Sequence, residues 1–274
     1  MITAIAFDLD GTLLTDDKKV SRRTGEMIAK AAATYSCPIV FASARMPAAI
    51  RFVATEAGLK SAVVSYDGAL CFASHTATSA ISGGNSISFT DQEGFFTSLR
   101  DLDIFCGIYF DEFWICNNES EWLQRLIRAN RIIPSGTTPD EIRSALSASP
   151  GFFKILLRGE PSSLRKASSI VPRFLLGNSK AHFNGDTLVE ITSDQCDKSG
   201  GVATVLQSLG VETSGLMAFG DGENDVSLLK NAAYSVAMAN AVPSCKEAAQ
   251  FVCGSNNEDG IADFLDEFIR KNGS

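Results

Sequence analysis

Asp8 and Asp10 stand two residues apart where the apolar run from Ile2 to Phe7 stops, and Gly11 and Thr12 follow them. If that run is a strand, its period of two sends both carboxylates to one face. Three further apolar runs end on polar residues: Pro38–Ala42 on Ser43, Ser61–Ser65 on Tyr66-Asp67-Gly68, and Gly215–Phe219 on Gly220-Asp221-Gly222, with Asp225 close behind. Open parallel sheets bind ligands at the carboxyl ends of their strands, so four such ends point to one locus. One carboxylate pair at a strand end is as readily a cap or a solvated loop, but four independent ends resist that explanation.

Several carboxylates in close contact cannot all ionise unless a cation intervenes. Only two histidines occur, His75 and His182, which argues against an imidazole metal cage. All-oxygen ligation selects a hard ion, and Mg²⁺ with one or two carboxylates and several waters fits. Lys198 opens a helical pattern and brings a fixed positive charge, while Ser43 offers a hydroxyl and a backbone N–H. A divalent ion, a lysine and donors at helix N-termini describe a phosphate site in an acidic protein. A carboxylate attacking a phosphate dianion meets roughly 8 kcal/mol of repulsion at ~4 Å and an effective dielectric of ~20, which the metal and lysine must offset. An aspartate nucleophile would give an aspartyl-phosphate. A second carboxylate two residues on would protonate the leaving oxygen and later deprotonate water.

The elements that must position these residues alternate. Short apolar strands at 2–7, 38–42 and 61–65 are separated by a helical pattern over Ser21–Tyr35 and a helix opening near Pro47, where proline suits the first turn. The rhythm resumes at Lys198 with Val202, Val205, Leu206 and Leu209 on one face, then a strand at 215–219, a helix from about Asn224 and a strand at 235–238. The last helix carries Ile261, Phe264, Leu265, Phe268 and Ile269, an amphipathic stripe. Such alternation implies βαβ units and a parallel sheet. Between Ser82 and Ile191 the rhythm differs: Ile104–Tyr109 with Phe113–Cys116, and Ala181–Asn184 with Leu188–Ile191, read as hairpins, with a capped helix at Thr138-Pro139 between them. The fold class expected is therefore α/β, a Rossmann-like parallel core over 1–82 and 192–274 interrupted by an α+β unit over 83–191. The Ser/Thr/Gly-rich run at 74–88 is the expected entry linker.

Composition limits the partners. The 274 residues are 45% hydrophobic and 20% charged, an ordinary globular balance, and the net charge of −8 leaves no electrostatic footprint for nucleic acid or an anionic membrane. Seven cysteines, none in a C-x-x-C pair, mostly lie in apolar runs such as Ile104–Cys106 and Phe251–Cys253, where each is expected to act as a buried hydrophobe in a reducing compartment. No apolar stretch approaches the ~20 residues of a membrane span. The opening residues carry no basic region before their apolar run, so no signal peptide is expected, and the expected location is cytoplasmic. Sequence gives no oligomeric state.

Asp8-Leu9-Asp10-Gly11-Thr12 resembles the first motif of the haloacid dehalogenase (HAD) superfamily, Ala42-Ser43-Ala44-Arg45 the second, Lys198 the third, and Gly220–Asp225 the fourth. Ala237–Ala241 followed by Glu258–Ala262 is similar to the Cof-type sugar-phosphate phosphatases. The resemblance implies that Asp8 is the nucleophile and a Mg²⁺ ligand. It makes Asp10 the general acid/base, with its backbone carbonyl on the metal, and Asp221 a further ligand. Asp225 would orient the metal's waters or Lys198; Ser43, Lys198 and Asn224 would hold the phosphoryl group, supported by Gly11 and Thr12. The inserted unit would be a C2B cap that closes the site and selects the leaving group. The chain departs from the family where Ser43 replaces a frequent Thr, Ser199 a Gly, Ala239 a Gly, and Asp67-Gly68-Ala69 a common Asn-Gly-Ala, which adds negative charge near the mouth.

Arg45, Asp67, Gly68 and Lys154, the last in the apolar strand Phe152–Leu157, are further substrate-binding candidates. Arg45 reads equally as a sheet-edge residue, Glu223 as solvated, Trp114 and Trp122 as cap core, and the two histidines receive no role. The function these residues imply is Mg²⁺-dependent hydrolysis of a small phosphorylated metabolite, a sugar phosphate foremost, through an aspartyl-phosphate. Two alternatives stay open: a phosphotransferase or mutase of the phosphomannomutase type, and a non-hydrolytic receiver module phosphorylated on aspartate.

Overall fold

A computed structural model of the chain describes residues 1–81, 85–149 and 151–272. The chain forms two compact units, Met1–Gly83 with Asp197–Ser274, and Gly84–Cys196. The expected boundary after Ser82, and the centre of the expected linker at 74–88, lie outside the described residues.

The first unit is built on a seven-stranded sheet in the order Phe251–Val252, Tyr234–Ala237, Leu216–Gly220, Ala4–Phe7, Ile39–Ala42, Ser61–Ser65, Leu70–Phe72. Every neighbouring pair is parallel except the last. Strands 4–7, 39–42 and 216–220 are buried throughout, which accounts for their unbroken apolar composition. The chain leaves Ala4–Phe7 toward Ile39–Ala42 on one side and returns through Leu216–Gly220 on the other, so a topological switch point lies beside Asp8. Register fixes what meets there. Phe7 is level with both Phe41 and Phe219, and its ring stacks on Phe219 at a centroid separation of 5.0 Å. Asp8, Ser43 and Asp221 therefore leave the sheet at one rim.

Three helices occupy the expected stretches. Ser21 caps Arg22–Tyr35 by accepting from the Thr24 N–H, Pro47 opens Pro47–Glu56, and Asp197 caps Lys198–Ser208 by accepting from the Gly200 N–H at 3.0 Å. One element is added to the expected set and two local readings are corrected. Leu70–Phe72 is an antiparallel edge strand, too short for periodicity to reveal, formed because the chain reverses at Tyr66–Gly68. The helix expected from Asn224 begins as a single 3₁₀ turn at Glu223–Asp225 and becomes α-helical only over Val226–Asn231. Phe251 and Val252 are an exposed edge strand, and Cys253 beside them is half-buried, as is Cys37; the other five cysteines are buried, and all seven are free thiols.

The second unit holds a five-stranded antiparallel sheet, Ser179–Asn184, Leu188–Ser193, Lys154–Arg158, Phe105–Tyr109, Trp114–Cys116, and a three-stranded one, Leu175–Leu176, Ile87–Phe89, Gly151–Phe152. Both expected hairpins are present. The run Phe152–Leu157 is not one strand: Phe152 pairs with Ile87, whereas Lys154 onward pairs with Phe105–Tyr109, and Phe153 marks the change of sheet. A continuous apolar run carries no signal for such a break. The helix at Pro139–Ala148 starts with a capping box between Thr138 and Glu141. Phe95, Ile108, Phe152, Ile155, Leu157, Val189 and Ile191 belong to this unit's core. Trp114 is buried and stacks on Tyr109, but Trp122 is half-buried beneath the guanidinium groups of Arg158 and Arg125, so its assignment to the core is corrected. Among the described residues, no helix is long and apolar enough to cross a membrane.

Candidate active site

Asp8 follows the central strand, its backbone N–H donating to the Phe219 carbonyl at 3.1 Å. Lys198, the first residue of its helix, is almost fully buried and donates from Nζ to Asp8 Oδ1 at 2.5 Å and to Asp225 Oδ1 at 2.6 Å, with Asp67 Oδ1 3.9 Å away. The second oxygen of Asp225 accepts from the backbone N–H groups of Asp221 and Gly222, both at 2.9 Å. That carboxylate is thus committed on both sides and fixes the Gly220–Asp225 loop. Asp221 in turn accepts from the Thr12 hydroxyl at 2.5 Å, tying the fourth motif to the first.

Asp8, Asp221 and Asp225 each bring a carboxylate oxygen within 4.8 Å of the other two. With Asp67 they set four acids against one buried lysine. Burial, reinforced by the charges of Asp225 and Asp221, pushes the Asp8 carboxyl well above the usual carboxylate range despite Lys198. Burial and Asp225 likewise push Asp221 up to about 6, against the pull of the Thr12 hydrogen bond. Burial opposes the charge on Lys198, but Asp225, Asp8 and Asp67 outweigh it and hold the ammonium well above its ordinary range. This excess of oxygen-bearing charge is what a hard divalent cation would relieve, and carboxylates with no imidazole among them fit Mg²⁺.

Gly11 is required by geometry. Its φ is +85°, and a Cβ there would lie 2.3 Å from Asp221 Oδ2. Gly68 has φ +102°, and a Cβ would lie 2.3 Å from the Asp197 carbonyl oxygen, at the mouth of the Lys198 helix. Tyr66 and Asp67 before it also have positive φ, 50° and 52°, a run that L-residues adopt only when held. Asn224 holds it by donating from Nδ2 to Asp67 Oδ1 at 3.0 Å. The aspartate that departs from the family's usual Asn is therefore accommodated by one amide and one ammonium.

Ser43 is buried, and its hydroxyl oxygen accepts from the Arg45 backbone N–H at 3.2 Å, while its carbonyl accepts from the Asp67 N–H at 3.1 Å. Arg45 forks Asp10 from Nε and Nη2 at 2.6 and 2.7 Å, and Lys18 adds a third contact at 2.9 Å. Desolvation works to raise the Asp10 carboxyl, but the hydrogen bonds and charges of Arg45 and Lys18 prevail and hold it well below the usual range.

The sequence candidates Asp8, Thr12, Asp67, Lys198, Asp221, Asn224 and Asp225 meet in one hydrogen-bonded cluster, with Asp10 and Arg45 paired beside Ser43. Lys154 belongs to the second unit, where it is buried and pairs with Glu190 at 2.7 Å. Glu223 is exposed and accepts from the Ser244 hydroxyl. Two contributors escaped the sequence reading. Lys18 sits in the charged run Asp16–Lys19 and looks like any solvated turn; Asn240, which donates to the Gly11 carbonyl at 2.8 Å, had only its place in a motif as a signal.

This arrangement of acids and lysine at a doubly wound switch point defines a class, and the comparisons agree. The family model of haloacid dehalogenase-like hydrolases matches residues 5–265, and the chain belongs to that family. Its enzymatic class is phosphatase. A Bacillus subtilis protein named "Putative phosphatase YxeH" is 27% identical over 98% of this chain and 99% of its own length. The solved structure of TM0651 from Thermotoga maritima is 25% identical, covers 97% of both chains and superposes with a TM-score of 0.81. The HAD subclass IIB sugar phosphatase BT4131, 22% identical over 97% of this chain and 98% of its own, shares the fold at a TM-score of 0.75.

Proposed function

We infer that the protein hydrolyses phosphate monoesters of small metabolites, sugar phosphates foremost, with Mg²⁺ and a covalent aspartyl-phosphate. The observation that carries this reading is Lys198, buried and bonded to both Asp8 and Asp225 beside Asp221. A structural ion pair needs no such surplus of acid, whereas a phosphoryl site with a divalent ion does. The sugar-phosphate class draws support from the Cof-type motifs and from the fold shared with the HAD subclass IIB sugar phosphatase BT4131.

Asp8, Asp221 and the backbone carbonyl of Asp10 would hold the ion, which when bound supplies charge neutralisation to the phosphoryl group and its acids. Lys198 keeps Asp8 oriented and offsets its repulsion for the incoming phosphate. Asp8 forms a bond to phosphorus as the ester P–O bond breaks, and the leaving oxygen takes a proton from Asp10. Water then gives its proton to Asp10 and cleaves the aspartyl-phosphate, releasing inorganic phosphate. Ser43 and Asn224 donate to the transferring group. The Arg45 fork and Lys18 favour ionised Asp10, the form that receives water's proton.

A panel of phosphate esters, scored for released phosphate with Mg²⁺ and with chelator, tests the reading. Metal-dependent phosphate release from sugar monophosphates is expected. Conversion of one sugar phosphate to an isomer without free phosphate would replace hydrolysis by transfer, and a long-lived phosphoprotein without ester hydrolysis would replace it by signalling.

A further inference from the structure

Each of the three sheets has two outer strands, and among the described residues five of these six are only two or three residues long: Phe251–Val252, Leu70–Phe72, Trp114–Cys116, Leu175–Leu176 and Gly151–Phe152. The sixth is different. Ser179–Asn184 runs for six residues, is exposed at Ala181, Phe183 and Asn184, and has Leu188–Ser193 as its one neighbouring strand. A long bare edge is a template for another strand, and proteins blunt such edges with proline, a bulge or an outward charge. This strand contains no proline, and its register with Leu188–Ser193 runs without a skipped residue. Its one formal charge, Lys180, is turned back to donate to the Cys196 carbonyl.

The hydrogen-bond phase settles which backbone groups face the open side. The Asp194 N–H donates to the Asn178 carbonyl at 3.3 Å, so the even-numbered residues of Ser179–Asn184 form the bonded pairs with Leu188–Ser193. On the other flank of Leu188–Ser193 the Gly159 N–H donates to the Thr187 carbonyl at 3.4 Å, which commits the odd-numbered residues there and gives the same phase. Ser179, Ala181 and Phe183 therefore direct N–H and C=O outward. Two copies of the strand, laid antiparallel about a two-fold axis at Ala181, set each Ser179 opposite the other copy's Phe183 and Ala181 opposite Ala181. All three facing pairs are of the bonded kind, two bonds each, which closes six backbone hydrogen bonds. A slip of two residues in either direction leaves two such pairs and four bonds.

We propose that Ser179–Asn184 is a dimerisation edge, on which a second copy of this chain pairs about a two-fold axis at Ala181 and joins two five-stranded sheets into one. The strand is self-complementary at this register. Facing Cα atoms of a bonded pair stand about 5.5 Å apart, and two alanine methyl groups fit at the axis. Phe183, 50% exposed, gains the small Ser179 of the second copy as its neighbour. The chain carries a net charge of −8, yet this strand holds no acid, so the copies meet without facing carboxylates. Lys180 stands opposite the second copy's His182, behind which Glu190 supplies a carboxylate on the next strand. A strand about 20 Å long makes a small contact, so the dimer is reversible rather than permanent. The inference needs neither the metal nor the phosphatase reading.

Sedimentation equilibrium of the full chain, from low micromolar to submillimolar concentration, reads the association directly. The average mass of the wild type should rise from one chain toward two. Ala181→Pro removes an outward N–H and no bond to Leu188–Ser193, so it should stay monomeric with an unchanged circular dichroism spectrum. Ala181→Glu and Ala181→Lys each set like charges across the axis and should weaken self-association by at least about tenfold, whereas their equimolar mixture should dimerise again. Hydrogen exchange at the Ser179, Ala181 and Phe183 amides should slow as the wild-type concentration rises. A wild type that stays monomeric throughout overturns the proposal. So does a dimer that the Ala181 variants form as readily as the wild type, or a Glu and Lys mixture that remains monomeric where the wild type pairs.

Discussion

Replacing Lys198 with methionine keeps the length of the side chain and removes its charge. The ammonium lies 2.5 and 2.6 Å from Asp8 and Asp225, each contact providing roughly 6 kcal/mol of gross attraction at an effective dielectric of ~20. Desolvation of the three groups cancels much of that sum. Removing one partner of a buried pair nevertheless costs about 3–5 kcal/mol, because the remaining charges stay uncompensated. In chelator the variant should therefore melt about 10 °C below the wild type. Asp8→Asn in the Lys198→Met background should recover about 1–2 kcal/mol, since it deletes one of the crowded acids. Mg²⁺ should raise the melting temperature of Lys198→Met more than that of the wild type. Denaturant melts of the four proteins of the cycle, with chelator and with Mg²⁺, provide the measurement. A Lys198→Met protein within about 2 °C of wild type, or a double variant less stable than Lys198→Met, would refute the charge argument.

The raised Asp221 carboxyl sets a pH window for the metal. Its titration near 6 means that Mg²⁺ must displace a proton below that pH, so affinity should fall about tenfold from pH 7.5 to pH 5, with proton uptake or release visible when calorimetry is repeated in two buffers; equal affinity at both values contradicts the assignment. By the same sign, a carboxyl raised in the fold makes the metal-free protein lose stability as pH climbs from the ordinary carboxylate range through about 6. Gly11→Ala forces a Cβ against Asp221 and a strained φ, so Mg²⁺ affinity should drop at least about tenfold with the circular dichroism spectrum unchanged, the strain alone being about 1–2 kcal/mol. Arg45→Ala removes the fork on Asp10; its carboxyl should titrate at higher pH by carbon NMR and turnover should fall, whereas an unmoved titration would show that Lys18 alone suffices.

Much of this site was legible because its residues are announced by the elements that carry them. An apolar run with an abrupt carboxylate at its end marks a buried parallel strand and its functional rim together, and the level registry of Phe7, Phe41 and Phe219 is what turns those separate ends into one place. The capping residue Asp197 likewise announces the start of the helix that opens with Lys198. What stayed hidden depends on long-range pairing or on backbone conformation. Tyr66-Asp67-Gly68 reads as a turn, but nothing local marks Tyr66 and Asp67 as left-handed or signals the antiparallel strand Leu70–Phe72 that follows. Lys18 gains its meaning only from reaching Asp10, and Arg45 was evenly balanced between two roles until the fork was seen. The break at Phe153 is invisible to periodicity because strands of both sheets are apolar on the side facing a common core.

The hydrolysis proposed for this site requires that Asp8 become phosphorylated. Mixing the protein with p-nitrophenyl phosphate and Mg²⁺, quenching in acid within the first turnover and mapping the peptides by mass spectrometry should place one phosphoryl group on the peptide that begins the chain, at Asp8. The same label should be missing from Asp8→Asn, whose circular dichroism spectrum should match the wild type. Phosphate released at the wild-type rate by Asp8→Asn, or a label carried by any other residue, would contradict it.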